Sequence, residues 1–295
     1  MNIAVIGGNG QLGTDLVRVF RENDDYVFPL THADIEICAF ESVKTCLQEK
    51  NPAVVINTAA MHHVDKCEQE PAAAYAANAI GVRNIALVTR EIGATLIHIS
   101  TDYVFDGKKS TPYSEEDVPL PLNVYGNSKL AGEYYVRTIN PKHFVLRTSA
   151  LYGKHGCRGK GGRNFVDLML ELARTRGWVR VVNDEFVSPT PTYDLARQIV
   201  PLSRCDSYGL YHATSESSCS WYEFAREIFS AAGLQVKLDI ADSSEFPAKV
   251  PRPAYSVLEN RGLKKIGLNK LISWQEGLET YLSENVPSPL PSGAP

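Results

Sequence analysis

Nowhere in these 295 residues does an apolar run approach the twenty or so positions that a helix needs to cross a bilayer. No membrane role is expected. Basic blocks are missing too: 30 Lys and Arg stand against 34 Asp and Glu, for a net charge of -4. Neither a nucleic-acid groove nor an anionic membrane surface is an expected partner. Cysteine is sparse. Cys38, Cys46, Cys67, Cys157, Cys205 and Cys219 form no C-x-x-C pair and share no metal-like spacing with histidines. They read as reduced thiols of a cytoplasmic protein, and no metal site is expected. The first residues show no basic n-region and no long apolar h-region, which fits a soluble, cytoplasmic chain.

What is present is an ordinary globular balance, 44% apolar and 22% charged. The length allows one large α/β unit or two lobes sharing a cleft. Asn2-Ile3-Ala4-Val5-Ile6 reads as a buried parallel strand. It runs into Gly7-Gly8-Asn9-Gly10-Gln11-Leu12-Gly13 and then a stretch of helical period. Strand, glycine turn and helix are the context a dinucleotide fingerprint requires, here spaced G-x-x-G-x-x-G. Gly7 permits the tight turn, Gly10 lets backbone approach a diphosphate, and Gly13 lets the helix pack close. The helix N-terminus adds N–H groups and partial positive charge.

Alternation of strand and helix then predicts a doubly wound parallel sheet of Rossmann type. Strands are expected at about 26–30, 52–57, 95–100 and 143–148, and helices at about 40–49, 70–93 and 123–139. Asp34, some twenty positions past the glycines, is late for a ribose-binding acid at a strand tip and is expected to reach the adenosine through its loop. No arginine marks a 2′-phosphate pocket, so NADH and NADPH both stay open. The small residues after the third strand, among them Ala59, Ala60, Met61 and His62, suit close approach of a cofactor. His62 and His63 read as solvated or packed rather than catalytic. Residues 1–149 are expected to bind the dinucleotide. Residues 150–285 are expected to form a smaller C-terminal substrate-binding lobe, interleaved with late elements of the first sheet. Its glycine-rich basic stretch, 153–163, reads equally as a loop over a diphosphate and as plain surface. The Pro-rich end, 286–295, reads as a disordered tail.

The chemistry centres on Thr101 at a strand end and on Tyr125 and Lys129, one turn apart on one helix face. Chance alone supplies roughly 0.7 Tyr-x-x-x-Lys pairs in such a chain. Position gives this pair its meaning, because it opens a helix after the fourth strand of a nucleotide-binding sheet. A nearby ammonium lowers a phenol's pKa from its ordinary value of about 10. Tyr125 would then act as acid–base group, Lys129 would also hold the nicotinamide ribose, and Thr101 would steady a carbonyl oxygen. That is carbonyl chemistry with hydride transfer.

These features resemble the extended short-chain dehydrogenase/reductase superfamily. Within it the chain is similar to the dTDP-4-dehydrorhamnose reductase family over about residues 1–285. The likeness rests on Val64-Asp65-Lys66-Cys67-Glu68, the run Ser100 to Gly107, and Pro121-Leu122-Asn123-Val124-Tyr125-Gly126. It continues through Lys129-Leu130-Ala131-Gly132-Glu133, Leu146-Arg147-Thr148-Ser149, Asn164-Phe165 and Arg252-Pro253. The resemblance implies reduction of the C4 ketone of a 4-keto-6-deoxy nucleotide sugar by NADPH or NADH. It places Gly10, Gln11 and Leu12, with Asn9 in the same turn, along the cofactor diphosphate. Asp34 and Ile35 would lie by the adenosine, and Ala60, Met61 and His62 on the cofactor's inner side. Thr101 and Asp102 would contact the sugar, with Tyr103, Asn164, Phe165 and Arg252 in the same substrate set. Tyr125 would protonate the C4 oxygen. A homodimer is compatible with the family.

Ala150 stands where many relatives carry a tryptophan after the Arg-Thr-Ser run, so the sugar pocket departs from theirs. Related 4,6-dehydratases carry Thr-Asp-Glu at the strand end. Thr101-Asp102-Tyr103 lacks the glutamate that elimination needs. Two alternatives stay open: a nucleotide-sugar 4-epimerase, and a regulatory subunit resembling the beta subunit of methionine adenosyltransferase.

Overall fold

The computed structural model describes residues 1–156, 162–245 and 250–285. The expected tail at 286–295 and part of the glycine-rich basic stretch lie outside the described residues. The first half follows the expected alternation: β1 (Asn2–Ile6), α1 (Gln11–Glu22), β2 (Tyr26–Leu30), α2 (Phe40–Lys50) and β3 (Val54–Asn57). Next come α3 (Val64–Gln69), α4 (Pro71–Tyr75), α5 (Val82–Glu91), β4 (Thr95–Thr101), α6 (Val124–Ile139) and β5 (His143–Thr148).

The second half holds β6 (Leu151–Tyr152), α7 (Phe165–Arg176), β7 (Trp178–Val182), β8 (Phe186–Val187), β9 (Thr190–Pro191) and α8 (Thr192–Leu202). It ends in β10 (Gly209–His212), β11 (Cys219–Ser220), α9 (Trp221–Ala231), β12 (Lys237–Ala241), α10 (Arg261–Lys265) and α11 (Trp274–Asn285).

Six strands form one parallel sheet in the order β10-β5-β4-β3-β1-β2. Chain order reverses between β1 and β3, and open α/β sheets bind ligands at such a point, beyond the strands' C-terminal ends. Period-2 alternation of apolar side chains supplies both faces. Ile3 and Val5 pack with Leu16, Phe20, Leu195 and Ile199 of α1 and α8. Ala4 and Ile6 pack on the opposite face with Val43, Leu47, Val82 and Ile85 of α2 and α5. A strand buried on both faces reads as a near-continuous apolar run, as β3 does, whereas β4 buries His98, Ser100 and Thr101 toward the site.

A separate core gathers Val166 and Leu170 of α7, Val179 of β7, Phe224 and Ile228 of α9 and Leu278 of α11. There β7 and β12 pair in parallel, a small further sheet in which the sequence pattern signals a strand at 178–182 but not its partner β12. The helix expected over 70–93 is instead α4 and α5 joined by a π-helical segment, Ala76–Gly81, with α3 preceding it. The wider turn seats Asn78, whose amide accepts from Met61 N (2.9 Å) and donates to Met61 O (2.9 Å) and Ser128 Oγ (3.0 Å). A buried amide facing a loop and a helix at once is a physical reason to keep that bulge.

Candidate active site

A cavity of about 800 Å³ lies along the C-terminal ends of β1, β3, β4 and β5. Its cofactor-side wall begins at the glycine turn. Gly7 has φ +81°, where a side chain would be strained, and a Cβ on Gly13 would sit 2.0 Å from Gly7 O. The turn is closed by Gly10 N donating to Gly7 O (2.9 Å). Gly10 is also the N-cap of α1, which has no side-chain cap and no acidic residue in its first turn. That leaves a helix N-terminus shaped for phosphate, in the wall of a long cleft. The group implied by the fingerprint, a nicotinamide dinucleotide, fits this cradle.

Gly7, Asn9, Gly10, Gln11, Leu12 and Gly13 all line the cavity. So do Ile35, Ala59, Ala60, Met61 and His62. Asp34 does not. Its carboxylate accepts from Thr31 N and Thr31 Oγ1, both at 2.8 Å, and these bonds hold it below the usual carboxylate pKa. The side chain caps its own turn, and Thr31, His32 and Ile35 face the cavity instead. Thr-x-x-Asp spacing at 31–34 is the signal in the sequence for that local use.

The reacting end is built by β4, α6 and β5. Thr101 closes β4, and its Oγ1 donates to Asp102 Oδ1 (3.0 Å) while accepting from Tyr103 N (3.2 Å). Asp102 is buried, which raises its pKa. Hydroxyls of Ser256, Ser149 and Thr101 oppose the shift, that of Ser149 donating to Oδ2 at 2.8 Å. Asn123 caps α6 by accepting from Gly126 N (2.9 Å), which places Tyr125 in the first turn. A Cβ on Gly126 would lie 2.2 Å from Tyr103 O, so glycine there lets the helix start against the β4 loop. The Tyr103 and Tyr125 rings meet edge to face with centroids 5.7 Å apart. Burial, then the Asp102 charge, pushes the Tyr103 phenol well above its ordinary pKa.

Lys129 follows one turn after Tyr125 and is 2% exposed. Its Nζ donates to Ile99 O at 2.6 Å and lies 3.4 Å from His98 Nε2. Burial pulls its pKa down to about 8, with Glu133 opposing. An ammonium so depressed can give up a proton near neutral pH.

Thr101, Asp102, Tyr103, Tyr125, Lys129, Asn164 and Phe165 all reach the one cavity. Arg252 does not line it and instead pairs with Asp65 at 3.6 Å, while its neighbour Pro253 forms wall. Several wall residues have no sequence signal: Trp221 and Phe224 from α9, and Glu185 from the turn before β8. The Phe165 and Trp221 rings pack at a tilt of 46°, with centroids 4.6 Å apart. Burial raises the Glu185 pKa, which the Arg252 charge resists. Ala150, in the left-handed region at φ +46°, also borders the cavity. Among the described residues no group of three or more His, Cys, Asp or Glu is arranged to hold a metal, and no helix is long and apolar enough to cross a membrane.

Comparison with known proteins shows the family. The family model of the RmlD substrate binding domain matches residues 1–286. The spore coat polysaccharide biosynthesis protein SpsK of Bacillus subtilis is 40% identical over 282 residues, covering 96% of this chain and 97% of that one. A dTDP-4-dehydrorhamnose reductase of Sinorhizobium fredii is 36% identical over 94% of this chain and 95% of its own. Among solved structures, the dTDP-4-dehydrorhamnose reductase of Bacillus anthracis in complex with NADP superposes with a TM-score of 0.92. It is 39% identical, covering 96% of this chain and 99% of that one.

Proposed function

The chain belongs to the RmlD substrate-binding-domain family of dTDP-4-dehydrorhamnose reductases, and from that premise we propose that it reduces the C4 ketone of a 4-keto-6-deoxy nucleotide sugar. The favoured conversion is dTDP-4-dehydro-L-rhamnose to dTDP-L-rhamnose, with NADPH or NADH as reductant. One observation carries the reading: the uncapped glycine turn and the Tyr125/Lys129 pair border a single cavity.

A dinucleotide held at the glycine turn would supply the hydride that C4 receives. The chain's own part is to place the ketone oxygen against Tyr125, whose phenol gives the proton, with the Lys129 ammonium behind it. Thr101 has its hydroxyl proton on Asp102, so it must rotate to reach the substrate. Tyr103 supports a reductase over a dehydratase, since a buried phenol with a raised pKa cannot serve as the carboxylate base of an elimination. The aromatic wall of Phe165 and Trp221 offers stacking area for the nucleotide's base or sugar. In this reading residues 1–149 chiefly hold the dinucleotide and 150–285 chiefly the sugar nucleotide, and the enzyme works in the cytoplasm as a homodimer.

The test is a panel of dTDP- and UDP-linked 4-keto-6-deoxy sugars with both reduced cofactors, followed at the nicotinamide absorbance. Oxidation dependent on the sugar is expected. Failure of every sugar to drive it sinks the reading.

A further inference from the structure

Behind the Tyr125/Lys129 pair lies a buried polar chain that the reduction just described does not use. Asn57 and His98 are register partners on β3 and β4, 1% and 0% exposed. Asn57 Oδ1 accepts from Ala59 N at 3.1 Å. A backbone N–H can only donate, so this bond orients the amide and turns Nδ2 toward His98. Asn57 Nδ2 therefore donates to His98 Nδ1, at 3.1 Å. A neutral imidazole that accepts at Nδ1 carries its hydrogen on Nε2, and that atom lies 3.4 Å from Lys129 Nζ.

We propose that His98 is a positioning residue for proton delivery, held by Asn57 in the tautomer whose Nε2–H faces Lys129 Nζ and favours the neutral amine over the ammonium. The inference rests on the reductase reading for its role, though not for its geometry. While Lys129 is charged it donates to Ile99 O, and an N–H dipole pointing at Nζ opposes the charge. When Nζ passes a proton to Tyr125 Oη, and Oη passes one to the ketone oxygen as C4 gains hydride, the amine's lone pair accepts from Nε2–H. Lys129 then takes a proton from water to restore the start. One proton and one hydride enter the substrate, and the dinucleotide is oxidised.

The surrounding charges are consistent with this arrangement. On its own helix Lys129 stands four residues from Tyr125 on one side and from Glu133 on the other, and Glu133, whose charge acts on Lys129, is bound from β5 by Arg147. From β4 it faces His98, whose own pKa is held well below the usual imidazole range by burial and then by Lys129. Tyr103 meets Tyr125 from the loop after β4.

The test starts with nitrogen-15 NMR of histidine-labelled full-length protein without ligands. A protonated Nε2 and a bare Nδ1 on His98 are expected, and an Nδ1–H tautomer overturns the proposal. The second arm is Asn57→Asp. A carboxylate there accepts from Nδ1–H and turns the Nε2 lone pair to Lys129. The titration midpoint of Lys129, read by carbon-13 NMR of labelled lysine, should rise by about one pH unit or more. Tautomer and midpoint must move together. An unmoved midpoint, or a shift with the Nε2–H tautomer retained, overturns the proposal, the latter because the new charge alone then explains it. If Asn57→Asp does not fold, the tautomer in the unaltered protein still decides. Both arms run without substrate, so a failed sugar panel rejects the reductase reading while leaving this one to its own result.

Discussion

Glu133 of α6 and Arg147 of β5 form a two-point ion pair sealed from solvent, each side chain 1% exposed. Arg147 Nε donates to Glu133 Oε1 at 2.9 Å and Nη2 to Oε2 at 2.7 Å, while Ser100 Oγ donates to Oε1 at 2.5 Å. The pair ties α6 to two strands one turn beyond Lys129, at the very place where Tyr125 and Thr101 must keep their spacing. Removing one partner strands a buried charge. Glu133→Gln should therefore cost about 3–5 kcal/mol of stability. Chemical denaturation of the variant checks this, and a loss below 1 kcal/mol would mean that the pair is not sealed.

Tyr125→Phe keeps the ring against Tyr103 and deletes the phenolic proton. The rate kcat should fall by about 10²–10⁴-fold while dinucleotide affinity holds. Near-normal turnover would reject the acid role.

Thr101→Ala tests a subtler point. Its hydroxyl donates to Asp102 in the free protein, so its help to the ketone requires rotation. The loss in kcat should be smaller than for Tyr125→Phe, about tenfold, since a single hydrogen bond to a charged group is worth about 1.5–3 kcal/mol before that cost. An equal or larger loss would make Thr101 the main support of the oxyanion.

Activity in the reducing direction should decline as pH rises through about 8, where Lys129 loses its proton. The stability consequence has the opposite sense. Burial depresses the folded-state pKa of Lys129 below its unfolded value, so the folded state carries a charge penalty below about 8. That penalty fades as pH climbs from there toward the unfolded pKa of about 10.4. Lys129→Met lacks the charge. It should gain stability relative to the parent near neutrality, and the gain should shrink above pH 8. Melting curves across that range read the trend, and a constant difference would contradict it.

Gly13→Ala places a methyl 2.0 Å from Gly7 O, where only backbone can yield. Dinucleotide binding should weaken by at least tenfold by fluorescence titration, because the turn and the α1 N-terminus move together. Unchanged affinity would show that the turn does not hold the diphosphate.

The amino-acid order by itself determined the parallel sheet, the glycine turn and the Tyr125/Lys129 face. Each rests on local periodicity or on a residue whose backbone freedom is its own, and such signals survive reading along a line. Most of the residues named from the sequence line one cavity. Asp34 does not, since its carboxylate is taken up by Thr31, three residues away. The tertiary structure alone decided what lies far apart in sequence. It paired β12 with β7, brought Trp221 and Glu185 to the cavity wall, and set Arg252 against Asp65. It also joined Asn57, His98 and Lys129 into one chain. Nothing in any of those segments alone carries the information, because a hydrogen bond across two strands and a helix depends on register and burial. The depressed pKa of Lys129 belongs to the same class: it comes from the dry place the fold makes for the residue.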